Sequence, residues 1–161
     1  DSNLQLSIDR FSTFRTRPTR SKNDGETYMT NPADMVPFAK TMGIQITEMT
    51  ADRARAEMLV RPEICTAGNG TDKPSIHGGA VMTLADVVGA FGGWAALPEG
   101  ASGTTTSESK TNFLNPAPEG ETVYAEALPL KTGRRQSVWQ TRITLKDGTL
   151  VAVVTQTQIV L

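Results

Sequence analysis

Only one cysteine and one histidine, Cys65 and His77, occur among the 161 residues. A single cysteine excludes an internal disulfide and any multi-cysteine zinc site, and a single histidine excludes every metal site that needs two. Charge of one sign is also lacking: 16 Lys and Arg against 17 Asp and Glu leave a net charge of −1. A dedicated nucleic-acid binder is normally basic, so that class is not expected. The phosphate-cradling patterns G-x-x-x-x-G-K-[ST] and G-x-G-x-x-G are missing. So is the nucleophile elbow G-x-S-x-G, since Gly100-Ala101-Ser102-Gly103 runs on into Thr104. Internal repeats and low-complexity segments are absent. What is present suffices for one core: hydrophobic residues make up 38% of the chain, and a domain usually takes ~100–200 residues. The composition fits a cytoplasmic protein.

The first 22 residues carry Arg10, Arg15, Arg17, Arg20 and Lys22 against Asp1 and Asp9, a local charge of +3. They hold no apolar run of the ~7–15 residues a secretory signal needs. Leu4, Leu6, Ile8, Phe11 and Phe14 could line a short amphipathic helix before Pro18, and the polar stretch after it reads as linker. Residues 1–30 are therefore expected to be an arm and linker, and 31–161 the domain.

Asn31-Pro32 is a good helix opening, with Met35, Phe38, Ala39 and Met42 at helical spacing and Gly43 as a stop. Alternation predicts strands over 44–49 and 53–60, with a loop over 61–77. Residues 78–97 are apolar with one charge, Asp86. A bilayer span of ~20 residues is the first alternative. Five glycines and a central Asp, which costs at least ~2.5 kcal/mol in lipid, point instead to a helix buried on almost all sides of a water-soluble fold. Strands follow over 103–114, 121–130, 137–146 and 149–161, the last two joined at Asp147-Gly148. This order implies an α+β fold: an antiparallel sheet of about six strands curling round one apolar helix, with dimerisation or higher assembly to cover what remains.

Three features could carry chemistry. The stretch His77-Gly78-Gly79 stands where the long helix begins. N–H groups there lack intrahelical partners, and glycine admits close approach, so Gly78 and Gly79 could hold a carbonyl oxygen; a plain glycine-rich helix entry capped by His77 reads equally well. Asp86 is the lone charge of its helix, so it needs a partner from elsewhere or serves as a tuned base or nucleophile. Gly78 and Asp86 are eight residues apart, or ~12 Å along a helix. One helix cannot bring both to one reacting carbon; two antiparallel copies across a two-fold axis can. The third feature, Thr104 to Asn112, is polar on both faces, which suits either a site lining or a water-facing edge strand. Cys65 could pair with His77 as a thiol nucleophile, but a lone cysteine is usually inert.

Taken in order, His77-Gly78-Gly79, Leu84-Ala85-Asp86, Asn112-Phe113-Leu114-Asn115-Pro116-Ala117 and Gly133-Arg134-Arg135 resemble the PaaI-like hotdog-fold acyl-CoA thioesterases across residues 31–161. The resemblance implies a hotdog fold and hydrolysis of an acyl-CoA to acid and CoA. It implies Asp86 as general base or nucleophile, the Gly78 N–H as oxyanion donor, and His77 as an orienting residue. Thr106, seven residues before Phe113, would hold the attacking water or the carboxylate. Gly79, Arg134 and Arg135 would contact CoA; ordinary turn charges remain the alternative for the two arginines. The family's Asn or Gln six residues before the histidine is Thr71 here, which leaves Asn69 as the candidate. The expected partners are an acyl-CoA and further copies of this chain, as a dimer with shared sites or a tetramer. No nucleic acid, membrane, metal or cofactor is expected. A dehydratase on hydroxyacyl thioesters and a non-catalytic acyl-CoA-binding module are the alternatives.

Overall fold

A computed structural model describes residues 31–68 and 73–161. The amino-terminal arm and Asn69 lie outside the described residues. The domain opens on a 3₁₀ turn (Pro32–Met35) and helix α1 (Pro37–Met42), followed by strands β1 (Gln45–Met49) and β2 (Ala54–Leu59). A second 3₁₀ turn (Pro62–Ile64) precedes helix α2 (Gly78–Ala95). Strands β3 (Thr104–Phe113), β4 (Thr122–Lys131), β5 (Gln136–Thr144) and β6 (Leu150–Val160) complete it.

Asn31 caps the first turn by accepting the Ala33 N–H at 3.2 Å, and it also ties that turn to β1 through the Ile44 carbonyl and the Ile46 N–H. The single helix expected after Asn31 is broken in two. Val36 sits in extended geometry (φ −108°, ψ 103°) because Pro37 follows it, and proline disfavours helical backbone in the residue before it. Gly43 ends α1 at φ 74°, the left-handed geometry that glycine adopts freely.

All six strands form one antiparallel sheet in the order β1-β2-β4-β5-β6-β3. Helix α2 packs against every one of them. The helix-facing rows are apolar, with four alanines among them: Ala54, Ala56 and Met58 from β2, Val123, Ala125 and Ala127 from β4, Trp139 and Ile143 from β5. Small side chains let the sheet curve closely about the helix, which contributes Val81, Leu84, Val88 and Phe91 to the core. Each such burial is worth roughly 1.5–3 kcal/mol.

Glycines set how near the helix approaches. A Cβ on Gly92 would lie 2.6 Å from the Trp139 ring, one on Gly89 would lie 2.5 Å from the Gln156 amide, and one on Gly93 would lie 3.0 Å from Gln158 Cγ. Three interior glycines cost roughly 3 kcal/mol of helix propensity relative to alanine. Burying an indole of about 150–250 Å² returns roughly 4–6 kcal/mol. Trp139 is fully buried and donates its Nε1–H to Ser137 Oγ at 2.9 Å. The notch at Gly92, which admits the indole, is therefore favourable overall.

The helix is more open than its composition predicts. Gly79, Met82, Thr83, Asp86 and Ala90 form a stripe that the sheet leaves uncovered, with Met82 42% exposed. Hydrophobicity alone does not reveal this stripe, because small residues lie on both sides of the helix.

Strand β3 takes the outer edge of the sheet, paired only with β6. The pairing runs Thr104 to Val160 and Thr106 to Gln158, then skips Ser107 and resumes with Glu108 to Thr157. This bulge exchanges the faces of the strand. Thr106 before it and Ser109 and Phe113 after it all end on the helix side.

Candidate active site

His77 is the N-cap of α2, and its Nδ1 accepts the Gly79 N–H at 2.9 Å. The ring is thereby held with Nδ1 as acceptor, which leaves Nε2 to carry the proton. The His77 carbonyl accepts the Ala80 N–H at 2.9 Å and the Val81 N–H at 3.2 Å. Of the first N–H groups of the helix, that of Gly78 alone has no acceptor among the described residues. The amide of Gly79 is already committed to His77, so the two glycines expected to act together are separated by this cap. The Phe113 ring stands over Gly78, where a Cβ would lie 3.1 Å from its Cζ. An open cavity of about 410 Å³ begins here, lined by Gly78, Ile76, Val81, Phe113, Asn115 and Val151.

Asp86 lies two turns further on, in the uncovered stripe. Its Oδ1 accepts the Thr106 hydroxyl at 2.7 Å, a contact that spans from helix to edge strand. Asp86 makes no ion pair among the described residues, so its partner is a neutral hydroxyl. A separate groove of about 310 Å³ contains Asp86 with Val36, Phe38, Met82, Val87 and Ser109. The structure thus brings Asp86 and Thr106 together, and His77 with Gly78 and Gly79, but Gly78 lines one cavity and Asp86 another.

Arg134 and Arg135 occupy the exposed turn between β4 and β5, where the Arg135 carbonyl accepts the Val160 N–H at 3.0 Å. Neither forms an ion pair among the described residues. Cys65 donates its thiol to the Arg61 carbonyl at 3.2 Å. Burial, then Glu119 and Glu63, push its pKa up, which disfavours the thiolate a nucleophile needs.

Two polar residues of β6 were not singled out from the sequence. Gln158 is fully buried; its Nε2 donates to Thr106 Oγ1 at 2.7 Å, and its Oε1 lies 3.2 Å from the Thr104 hydroxyl. Gln156, also buried, donates to the Asp86 backbone carbonyl at 3.3 Å. The available signal was the alternation Val154, Gln156, Gln158 on the core face of a strand, opposite helix glycines spaced four apart.

Comparison with known proteins bears on this geometry. The family pattern described as thioesterase superfamily matches residues 74–152, which include both glycine-rich helix start and Asp86. A Mycobacterium tuberculosis protein named as an esterase is 32% identical over 119 residues, covering 73% of this chain and 81% of the relative. This chain belongs to the thioesterase superfamily. It is a thioester hydrolase with the hotdog fold. The solved structure of the mycobacterial relative superposes with a TM-score of 0.71 at 30% identity, covering 78% of this chain and 97% of the other. The Escherichia coli PaaI protein, from the phenylacetic acid degradation operon, superposes at 0.68 with 26% identity over 80% of this chain and 86% of its own. An Arabidopsis thaliana relative, 1,4-dihydroxy-2-naphthoyl-CoA thioesterase 2, is 25% identical over 65% of this chain and 62% of its own length. As for membranes, no helix among the described residues is long and apolar enough to cross one.

Proposed function

We propose that this thioesterase hydrolyses acyl-CoA esters at a site assembled from two chains. The observation that carries this reading is the division of the machinery between two cavities. A carboxylate held by Thr106 lies in one, and a free helix-terminal N–H at Gly78 begins the other. Along one helix the two are ~12 Å apart, too far to act on one carbonyl. Two chains set antiparallel at the open stripe of α2 would bring the Asp86 of one to the Gly78 of the other, in a dimer or a tetramer built from it.

In such a site the thioester oxygen lies against the Gly78 N–H, at the positive end of the helix dipole. His77 supports that donor by occupying the neighbouring amide. Asp86 takes a proton from water, and the hydroxide attacks the carbonyl carbon. Alternatively, the carboxylate attacks directly and water cleaves the resulting anhydride. In either route the tetrahedral intermediate collapses by breaking the C–S bond, and the thiolate leaves and takes up a proton. CoA as the leaving thiol is supported by the substrate in the Arabidopsis relative's name and by the exposed cationic turn at Arg134 and Arg135, which suits phosphates. Gly79, beside His77, would offer close approach rather than a donor.

The test is thiol release from short-chain, medium-chain and aromatic acyl-CoAs, with Asp86→Asn beside the native chain. The expected outcome is turnover on at least one ester and a fall of at least ~10²-fold in the variant, with thermal stability retained. Native-like kcat in Asp86→Asn would remove Asp86 from the chemistry.

A further inference from the structure

We infer that Gln158 is a positioning residue for the reaction, acting on Asp86 through Thr106. This inference rests on the assignment of Asp86 made above. A hydroxyl has one proton and must be told where to send it. The Thr106 oxygen receives the Gln158 amide N–H at 2.7 Å and lies 2.7 Å from Asp86 Oδ1. Because Gln158 fills an acceptor position of that oxygen, the Thr106 proton is directed to the carboxylate. One Asp86 oxygen is thus fixed on Thr106, in a residue that lines the groove.

Gln158 itself has little freedom. It is fully buried, its Oε1 lies 3.2 Å from the Thr104 hydroxyl, and its stem passes the notch at Gly93. The Thr104 hydroxyl, which has its own single proton, also lies 2.9 Å from the Ile159 carbonyl. The bonded chain Gln158, Thr106, Asp86 therefore runs from β6 through the edge strand to the helix entirely through side chains. A buried amide costs free energy unless it is satisfied, and a leucine would fill the same space. A purely structural core would have no use for the amide; orientation of Thr106 gives it one.

The experiment compares Gln158→Leu in the native and Thr106→Val backgrounds, reading kcat, KM and thermal stability on the acyl-CoA turned over best. Gln158→Leu is expected to lower kcat roughly 10- to 100-fold with KM little changed. In the Thr106→Val background it is expected to add almost nothing. Thr106→Ser, which keeps the hydroxyl, should restore the dependence on Gln158. Gln158→Met, more adaptable in shape, replaces the leucine variant if that one does not fold. Native-like kcat in the folded Gln158 variant overturns the inference, as does an equal loss with and without the Thr106 hydroxyl. Asp86→Asn is run alongside. If it is inactive while Gln158→Leu is native-like, only this inference fails; if it stays active, or no ester is turned over, both readings fall.

Discussion

At the scale of single residues, two buried or half-buried groups with similar nominal reactivity have opposite prospects. Asp86 lines a groove and has one oxygen held by Thr106. Cys65 has its thiol bonded to the Arg61 carbonyl and its pKa raised by burial and by Glu119 and Glu63. A raised thiol pKa leaves less thiolate at any pH below it, so alkylation must be slow near neutrality and accelerate as pH rises past the ordinary thiol range. Iodoacetamide labelling followed by mass is expected to run several-fold slower than for free cysteine at pH 8. Cys65→Ser is expected to keep native kcat; loss of turnover there would return the cysteine to the list of nucleophiles.

At the scale of elements, the close contact of α2 with the sheet rests on its interior glycines. Gly92→Ala would place a methyl 2.6 Å from the rigid Trp139 ring. The cost expected is about 1–3 kcal/mol, read as a lowered denaturant midpoint with unchanged slope. An alanine there that stabilised the protein through its better helix propensity would show that the sheet yields easily. The elements themselves were largely legible in the sequence. Alternation at Ala54, Ala56 and Met58 and the turn at Asp147-Gly148 give strands and hairpin directly, and the loss of polarity from Gly78 onward gives the helix. Asp86 and Gly78 stood out because each was anomalous in its setting. Three things did not emerge. The break at Val36 was written in Pro37 but masked by the helical spacing around it. The bulge at Ser107 carries no glycine or proline to mark it, since it is a property of pairing with β6. Gln156 and Gln158 were hidden because a polar residue on a strand reads as outward. Only the facing notches at Gly89 and Gly93 make them core residues.

At the scale of the whole molecule, the proposed two-chain site makes a prediction that no single-chain site shares. Gly78 is the first helical position, and His77 before it is extended (φ −70°, ψ 140°). Proline is well suited to that position, and it removes the N–H. Gly78→Pro should therefore delete the proposed oxyanion donor, its ring meeting Phe113 as the nearest neighbour. Gly78→Pro and Asp86→Asn are each expected to be inactive alone. Unfolded together and refolded as an equal mixture, they should regain roughly a quarter of native activity, because half the pairs are mixed and each mixed pair has one intact site. Recovery near zero from a mixture with a native-like sedimentation profile would confine the site to one chain. Edge strand β3 then acquires a second meaning. Its first half holds the carboxylate of its own chain through Thr106, and its second half, through Phe113, flanks the Gly78 N–H that in the proposed pairing would face the carboxylate of the other. The skipped residue at Ser107 is a change of phase that lets one strand address both. Thr106 and Phe113 are seven apart in β3 but pair with Gln158 and Ala152, six apart in β6. Removing Ser107 alone would therefore leave a regular strand with both side chains still facing the helix, whereas removing a second residue would turn one of them to solvent. Length changes in this strand should therefore be tolerated by parity rather than by size.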